Sequence, residues 1–136
     1  MSQQKSKALV IAGHVVAVLL AAAFIMSGLT KLSGNEGMVQ NFARWGFPGF
    51  FIYVVGLTEV VAAVLLVIPK TRAFGASALV GTMVGAAGTH AMFGEWAHIA
   101  PSIVLGTLSA ITLWTNRESI LKFLPGTNLK TPQTQP

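Results

Sequence analysis

The stretch ALVIAGHVVAVLLAAAFIMSGLT, from Ala8 to Thr30, contains no acidic residue, lysine or arginine, and Lys7 and Lys31 close it on either side. An α-helix needs about 20 apolar residues to cross the hydrocarbon core of a bilayer. The stretch meets that length and predicts a transmembrane helix. Working outward along the chain, three further stretches repeat the pattern. One runs from Gly49 to Pro69 and is closed by Lys70 and Arg72. One runs from Ala73 to Gly94 and is closed by Glu95. The last runs from about Ala97 to Thr115 and is closed by Asn116 and Arg117. Pro101 and His98 stand in the first turns of that fourth stretch, where a helix has backbone donors without intrahelical partners. Glu59 is the one acidic residue inside any of the four.

Composition agrees. Of 136 residues, 53% are apolar and 10% are charged, whereas a soluble domain carries roughly 25% charged residues. The reading is therefore all-α: a membrane four-helix antiparallel bundle filling residues 1–124 as one domain, followed by a disordered cytoplasmic tail over 125–136. The tail is assigned from its prolines and polar residues. A cleaved signal peptide is the competing reading of the first stretch, with Lys5 and Lys7 as its basic region. The apolar run is longer than the ~7–15 residues of such a segment.

The net charge of +5 is not one patch. Lysine and arginine flank the apolar runs, which is a topology signal and not a nucleic-acid footprint. Four crossings put Lys5, Lys7, Lys70, Arg72, Arg117, Lys122 and Lys130 on one side, seven of the nine basic residues. Lys31 and Arg44 fall on the other. The positive-inside rule makes the first side cytoplasmic, with both termini there. Trp45, Phe47, Phe50, Tyr53 and Trp96 fall at the outer interface and Trp114 at the inner one.

Between the first two spans, Ser33-Gly34-Asn35-Glu36 reads as a capping box. Met38, Phe42 and Trp45 then recur at helical spacing, and Gly46 before Pro48 reads as a stop. This predicts a short helix in the outer interface. Small residues mark the packing seams: His14, Ala17, Ala21, Phe24, Gly28 and Lys31 in span one; Gly56, Glu59 and Ala63 in span two; Ser77, Gly81 and Gly85 in span three; Ser102, Gly106 and Ser109 in span four. Without a hydrophobic drive in lipid, such residues let helices approach closely.

Chemistry would reside in the polar residues within the membrane. A charged group at the bilayer centre costs roughly 2.5–3.5 kcal/mol on insertion scales, so it persists only with compensation. Glu59 shares its face with Gly56 and Ala63 and points inward. Either desolvation keeps it protonated, or it is ionised and paired, with Lys31 as the first candidate partner and Arg44 as the second. His90 and Thr89 stand near the outer end of span three, and Glu95 and His98 follow. With Lys31, Arg44, Thr58 and Glu59 they form one candidate pocket in the outer half. No metal is expected: His90, Glu95 and His98 match no strong ligand motif. With no cysteine, thiolate ligands and thiol redox chemistry are excluded. His14 and His90 lie at opposite depths and do not share a haem. No Ser-His-Asp set, phosphate loop or carboxylate pair is present.

These residues together resemble a known family. Ser27-Gly28-Leu29-Thr30-Lys31-Leu32 resembles the G-x-x-K-L end of the first helix in DoxX-like proteins. Gly46-Phe47-Pro48, then Gly56-Leu57-Thr58-Glu59, resembles that family's proline followed by G-x-x-E, and Thr71-Arg72 its short basic turn. His90 stands where many members carry a histidine. The resemblance spans about residues 10 to 115. It departs at His14, where a basic residue is expected.

The resemblance implies a four-helix protein of bacterial inner membranes, with Lys31, Glu59 and His90 as its reactive positions. Its name-giving relatives are subunits linked to quinone-dependent oxidation of thiosulfate, and others support membrane redox complexes or assist assembly. The leading expectation is a redox-associated subunit. Arg44, Thr58, Thr89 and His98 would help bind quinone or a small reductant, with no covalently bound cofactor. It would at most be part of a membrane oxidoreductase. The alternatives are a scaffold for other membrane proteins and a small proton-coupled exporter. Expected partners are the bilayer and other membrane proteins or a second copy, with no nucleic acid.

Overall fold

The computed structural model describes residues 2–126, and every regular element in them is a helix. The tail expected to be disordered lies, from residue 127 on, outside the described residues. The order is α1 (Ser2–Leu32), α2 (Glu36–Arg44), α3 (Phe51–Val67), α4 (Arg72–Met92), α5 (Trp96–Thr115) and α6 (Glu118–Leu121). α1 packs on α3, α3 on α4, α4 on α5, and α5 returns to α1. Among the described residues two helices are long and apolar enough to cross a membrane, Ser6–Leu32 and Trp96–Thr115, and α3 is apolar but shorter.

The core is thin. Leu20, Ala21 and Phe24 of α1 meet Ala62, Ala63 and Leu66 of α3 and Ala76, Leu79 and Met83 of α4. The seams read from small residues are buried in α1 and α3, with His14 at the exposed start of the first, and in α5 at Ser102 and Ser109, with Gly106 half-buried between them. Outside that core the surface is apolar. Leu9, Val10, Ile11, Val15, Val18 and Leu19 of α1 are all more than half exposed. An unbroken apolar surface of this kind needs a bilayer or a partner over it.

Helices touch where glycine removes the side chain. A Cβ on Gly28 would lie 2.7 Å from the Gly56 carbonyl oxygen, and one on Gly56 2.9 Å from the Gly28 oxygen, so α1 and α3 cross backbone to backbone. Gly75 brings α4 equally close to the Ala62 carbonyl of α3. The G-x-x-x-G pair of α4 behaves otherwise: neither Gly81 nor Gly85 has a neighbour within 4 Å.

Three chain reversals share one device. Gly34, Gly46 and Gly94 have φ of +68°, +80° and +70°. After α2, Phe47 N–H donates to Phe42 O and Gly46 N–H to Ala43 O; after α4, Glu95 N–H donates to His90 O and Gly94 N–H to Ala91 O. These are Schellman ends, which favour glycine because the left-handed conformation crowds a Cβ. The start of α2 corrects the expected capping box. Asn35 is the N-cap, its side chain accepting from Met38 N–H at 3.2 Å, while Ser33 Oγ donates back to Thr30 O. At the end away from α2, Arg72 Nε donates to Leu66 O at 2.8 Å and Thr71 Oγ1 to Leu65 O at 3.0 Å, satisfying the last carbonyls of α3. α6 has no counterpart in the sequence reading; Phe123 just beyond it meets Phe74 edge-on at 5.7 Å.

Candidate functional site

The polar residues expected to form one outer pocket form two separate clusters. The first joins α1 to α3. Lys31 Nζ lies 3.0 Å from Glu59 Oε2, 3.2 Å from Oε1 and 2.7 Å from Ser27 Oγ. The expected Lys31–Glu59 partnership is therefore present. The Gly28–Gly56 crossing is one turn away, and it brings the two chains close enough for a direct bond. Glu59 is 1% exposed and Lys31 7%. The ammonium has three hydrogens, and each has an acceptor. Ser27 is a member that the sequence reading quoted but gave no role; its place one turn before Lys31 was the available signal.

The second cluster sits where α4 turns into α5. The Schellman end at Gly94 folds Glu95 back over the last turn of α4, so Glu95 Oε2 meets His90 Nδ1 at 2.7 Å. Glu95 is also the N-cap of α5. His98, one turn on, brings its ring 5.4 Å from that of His90, nearly parallel at 24°. α2 supplies the remaining groups. Arg44 Nη2 donates to Glu95 Oε1, as does Trp45 Nε1 at 3.4 Å. The Trp45 ring meets His90 edge-on at 5.2 Å. The hydrogen bond from His90, then that from Trp45 and the charge of Arg44, hold the Glu95 carboxyl below its usual range against the opposing effect of desolvation.

Arg44, the second candidate for Glu59, thus belongs to Glu95 instead. Thr58 and Thr89 join neither cluster: each hydroxyl donates to its own helix, to Val54 O at 2.8 Å and Gly85 O at 2.9 Å. A pairing not foreseen lies at the opposite end, where buried Arg72 reaches His14 Nδ1 at 2.8 Å. The signal for it was the departure at His14, an imidazole in place of a cation. No described hydrogen bond or ion pair links the two clusters. A crevice of about 200 Å³ lies between α1 and α5, deeper along the helices, lined by Val16, Leu19, Leu20, Leu105 and Leu108.

A buried ion pair and a half-buried polar cluster in an all-helical, apolar-surfaced chain point to a small membrane protein. The comparisons name its kind. The DoxX-like family profile matches residues 15–112, and the chain belongs to that family. A curated relative from Bacillus subtilis (strain 168), "Putative oxidoreductase CatD", is 37% identical over 49 residues, 36% of this chain. The matched segment spans 37% of that relative's length. No solved structure matches the chain.

Proposed function

We propose that this protein is a multi-pass subunit of a bacterial inner-membrane redox complex that holds a quinone at its outer face. In this reading α1, α3, α4 and α5 are four antiparallel crossings with both termini cytoplasmic, and α2 lies in the outer interface. The supporting observation is the stacked pair of His90 and His98 at the α4–α5 turn. Leu105 and Leu108, which line the apolar crevice, lie two to three turns beyond His98 on the same stripe of α5. A quinone combines a flat head carrying two carbonyl acceptors with a long apolar tail. Imidazole N–H groups donate to such carbonyls, and the crevice accepts an apolar chain. With no cysteine in the chain, the electrons pass between the quinone and a partner protein. The oxidoreductase name of the partial relative agrees with that placement.

The experiment is mass spectrometry of the lipids extracted with the detergent-purified protein. Near-stoichiometric quinone is expected, falling at least tenfold in His98→Ala. Glu59→Gln, distant from the head site in this reading, should retain it. Wild-type protein carrying only ordinary phospholipid would sink the quinone reading. A second reading, a non-catalytic scaffold for other membrane proteins, draws on one observation: the Lys31–Glu59 pair is closed and fully hydrogen-bonded. That is the geometry of a clamp fixing helix register.

A further inference from the structure

We propose that His90, Glu95 and His98 form a binding site for a divalent transition metal of the zinc class. One ligand atom from each residue lies within 4.8 Å of the other two. Tetrahedral zinc, with bonds of about 2.0–2.1 Å, sets its ligand atoms roughly 3.3 Å apart. His90 Nδ1 and Glu95 Oε2, at 2.7 Å, share a proton where the ion would sit. Admitting the ion requires that pair to open by about half an ångström and His98, exposed and on the first turn of α5, to swing inward by side-chain rotation. Two imidazoles and one carboxylate are an N₂O donor set that suits zinc and leaves positions open for water or ligand.

The surroundings are those of a prepared site. Metal-binding carboxylates are held by outer hydrogen bonds that fix their orientation. Glu95 Oε1 is held in this way, by Arg44 from one side and Trp45 Nε1 from the other, which leaves Oε2 directed at His90. The edge of Trp45 packs on His90 and fixes its ring. The backbone adds the rest: Gly94 in the left-handed region folds Glu95 over His90, and the first turn of α5 carries His98 alongside. Arg44 is the one opposing charge. Its side chain is 59% exposed and is free to turn toward solvent when a cation arrives. The assignment stands without the quinone reading, because it rests on ligand geometry alone.

The test is calorimetric titration of Zn²⁺ into untagged, detergent-purified protein, paired with the visible spectrum of the Co²⁺ form. One equivalent should bind, and Co²⁺ should give the intense d–d bands of a low-symmetry site. His98→Ala, Glu95→Gln and His90→Ala should each weaken binding at least tenfold and remove the bands. His14→Ala should change neither. His98 is exposed, so its variant folds, and α-helical circular dichroism checks each of the others. Absence of Zn²⁺ binding in the wild type, or unchanged binding in folded His98→Ala, would overturn the assignment. Because the quinone reading draws on the same two histidines, quinone content is measured on the same preparation, and the titration is made on quinone-free protein.

Discussion

Lys31 and Glu59 are a buried charge pair in which the three ammonium hydrogens meet Ser27 Oγ and both Glu59 oxygens. Removing one partner of such a pair leaves an uncompensated charge and costs about 3–5 kcal/mol, whereas replacing both by apolar groups is often neutral. Lys31→Met and Glu59→Leu should therefore each lower the melting temperature of the detergent-solubilised protein sharply, and the double variant should recover most of the loss. Additive losses in the double variant would show that the two residues act independently. Glu95 predicts a pH dependence. Its folded pKa is depressed, by His90 first and then by Trp45 and Arg44. Its contribution is thus fully present above the ordinary carboxyl value and is lost as pH falls through the lower folded value. The groups facing it are Arg44 and Trp45 from α2, His90 from α4 and His98 from α5. Acidification from neutral pH into that range should lower the amide-exchange protection factors of α2, after correction for the intrinsic pH dependence of exchange, in the wild type and have little effect on them in Glu95→Gln. The first pair was legible in the sequence, because helical spacing puts Lys31 and Glu59 on the seams of their own spans. The role of Glu95 was not: it depends on a left-handed turn that brings residues five apart face to face.

At the scale of elements, glycine spacing proved a weaker guide than glycine position. The G-x-x-x-G step at Gly81 and Gly85 has the motif and no neighbour where a Cβ would stand, while Gly28 and Gly56, one in each span, carry a backbone-to-backbone helix crossing. A motif records what a helix permits; which face is used depends on the partner helix. Gly56→Ala pushes a methyl group against the Gly28 carbonyl oxygen, which has no rotamer with which to yield. It should destabilise the protein by about 1–3 kcal/mol, the usual range for overpacking. Gly81→Ala should be neutral or slightly stabilising, since it restores helix propensity in open space. Equal losses from both would contradict the crossing described. Gly94→Ala puts a Cβ into the left-handed region at roughly 1–2 kcal/mol. Because it strains the turn that seats Glu95 on His90, it should also free α2, read as faster exchange there. The helix ends show where local reading stops. Asn35 and Ser33 are both good caps, and two residues' difference in the entry of the chain decides between them.

At the scale of the whole molecule, lysine and arginine placement and apolar exposure describe one arrangement from two directions. The positive-inside rule assigns seven of the nine basic residues to one side, and many long apolar side chains of α1 and α5 are exposed. Two helices meet the length and apolarity for crossing by themselves. α3 is short, and α4 is diluted by Gly75, Gly81, Gly85 and Gly88, so both would cross as members of a packed set. A count of four crossings, the arrangement proposed above, would thus be a property of the assembled chain more than of any single segment. The absence of cysteine makes it testable, because every introduced thiol is unique. Ala43→Cys on α2 and Ser119→Cys on α6 are both exposed or half-buried polar-region positions. In spheroplasts a membrane-impermeant maleimide should label Ala43→Cys directly and Ser119→Cys only after the membrane is opened, and Ser6→Cys should behave like Ser119→Cys. Four crossings require α2 to lie opposite both ends. Labelling of Ser6→Cys and Ser119→Cys on different sides would demand an odd number of crossings, and one of α3, α4 or α5 would then have to lie outside the bilayer.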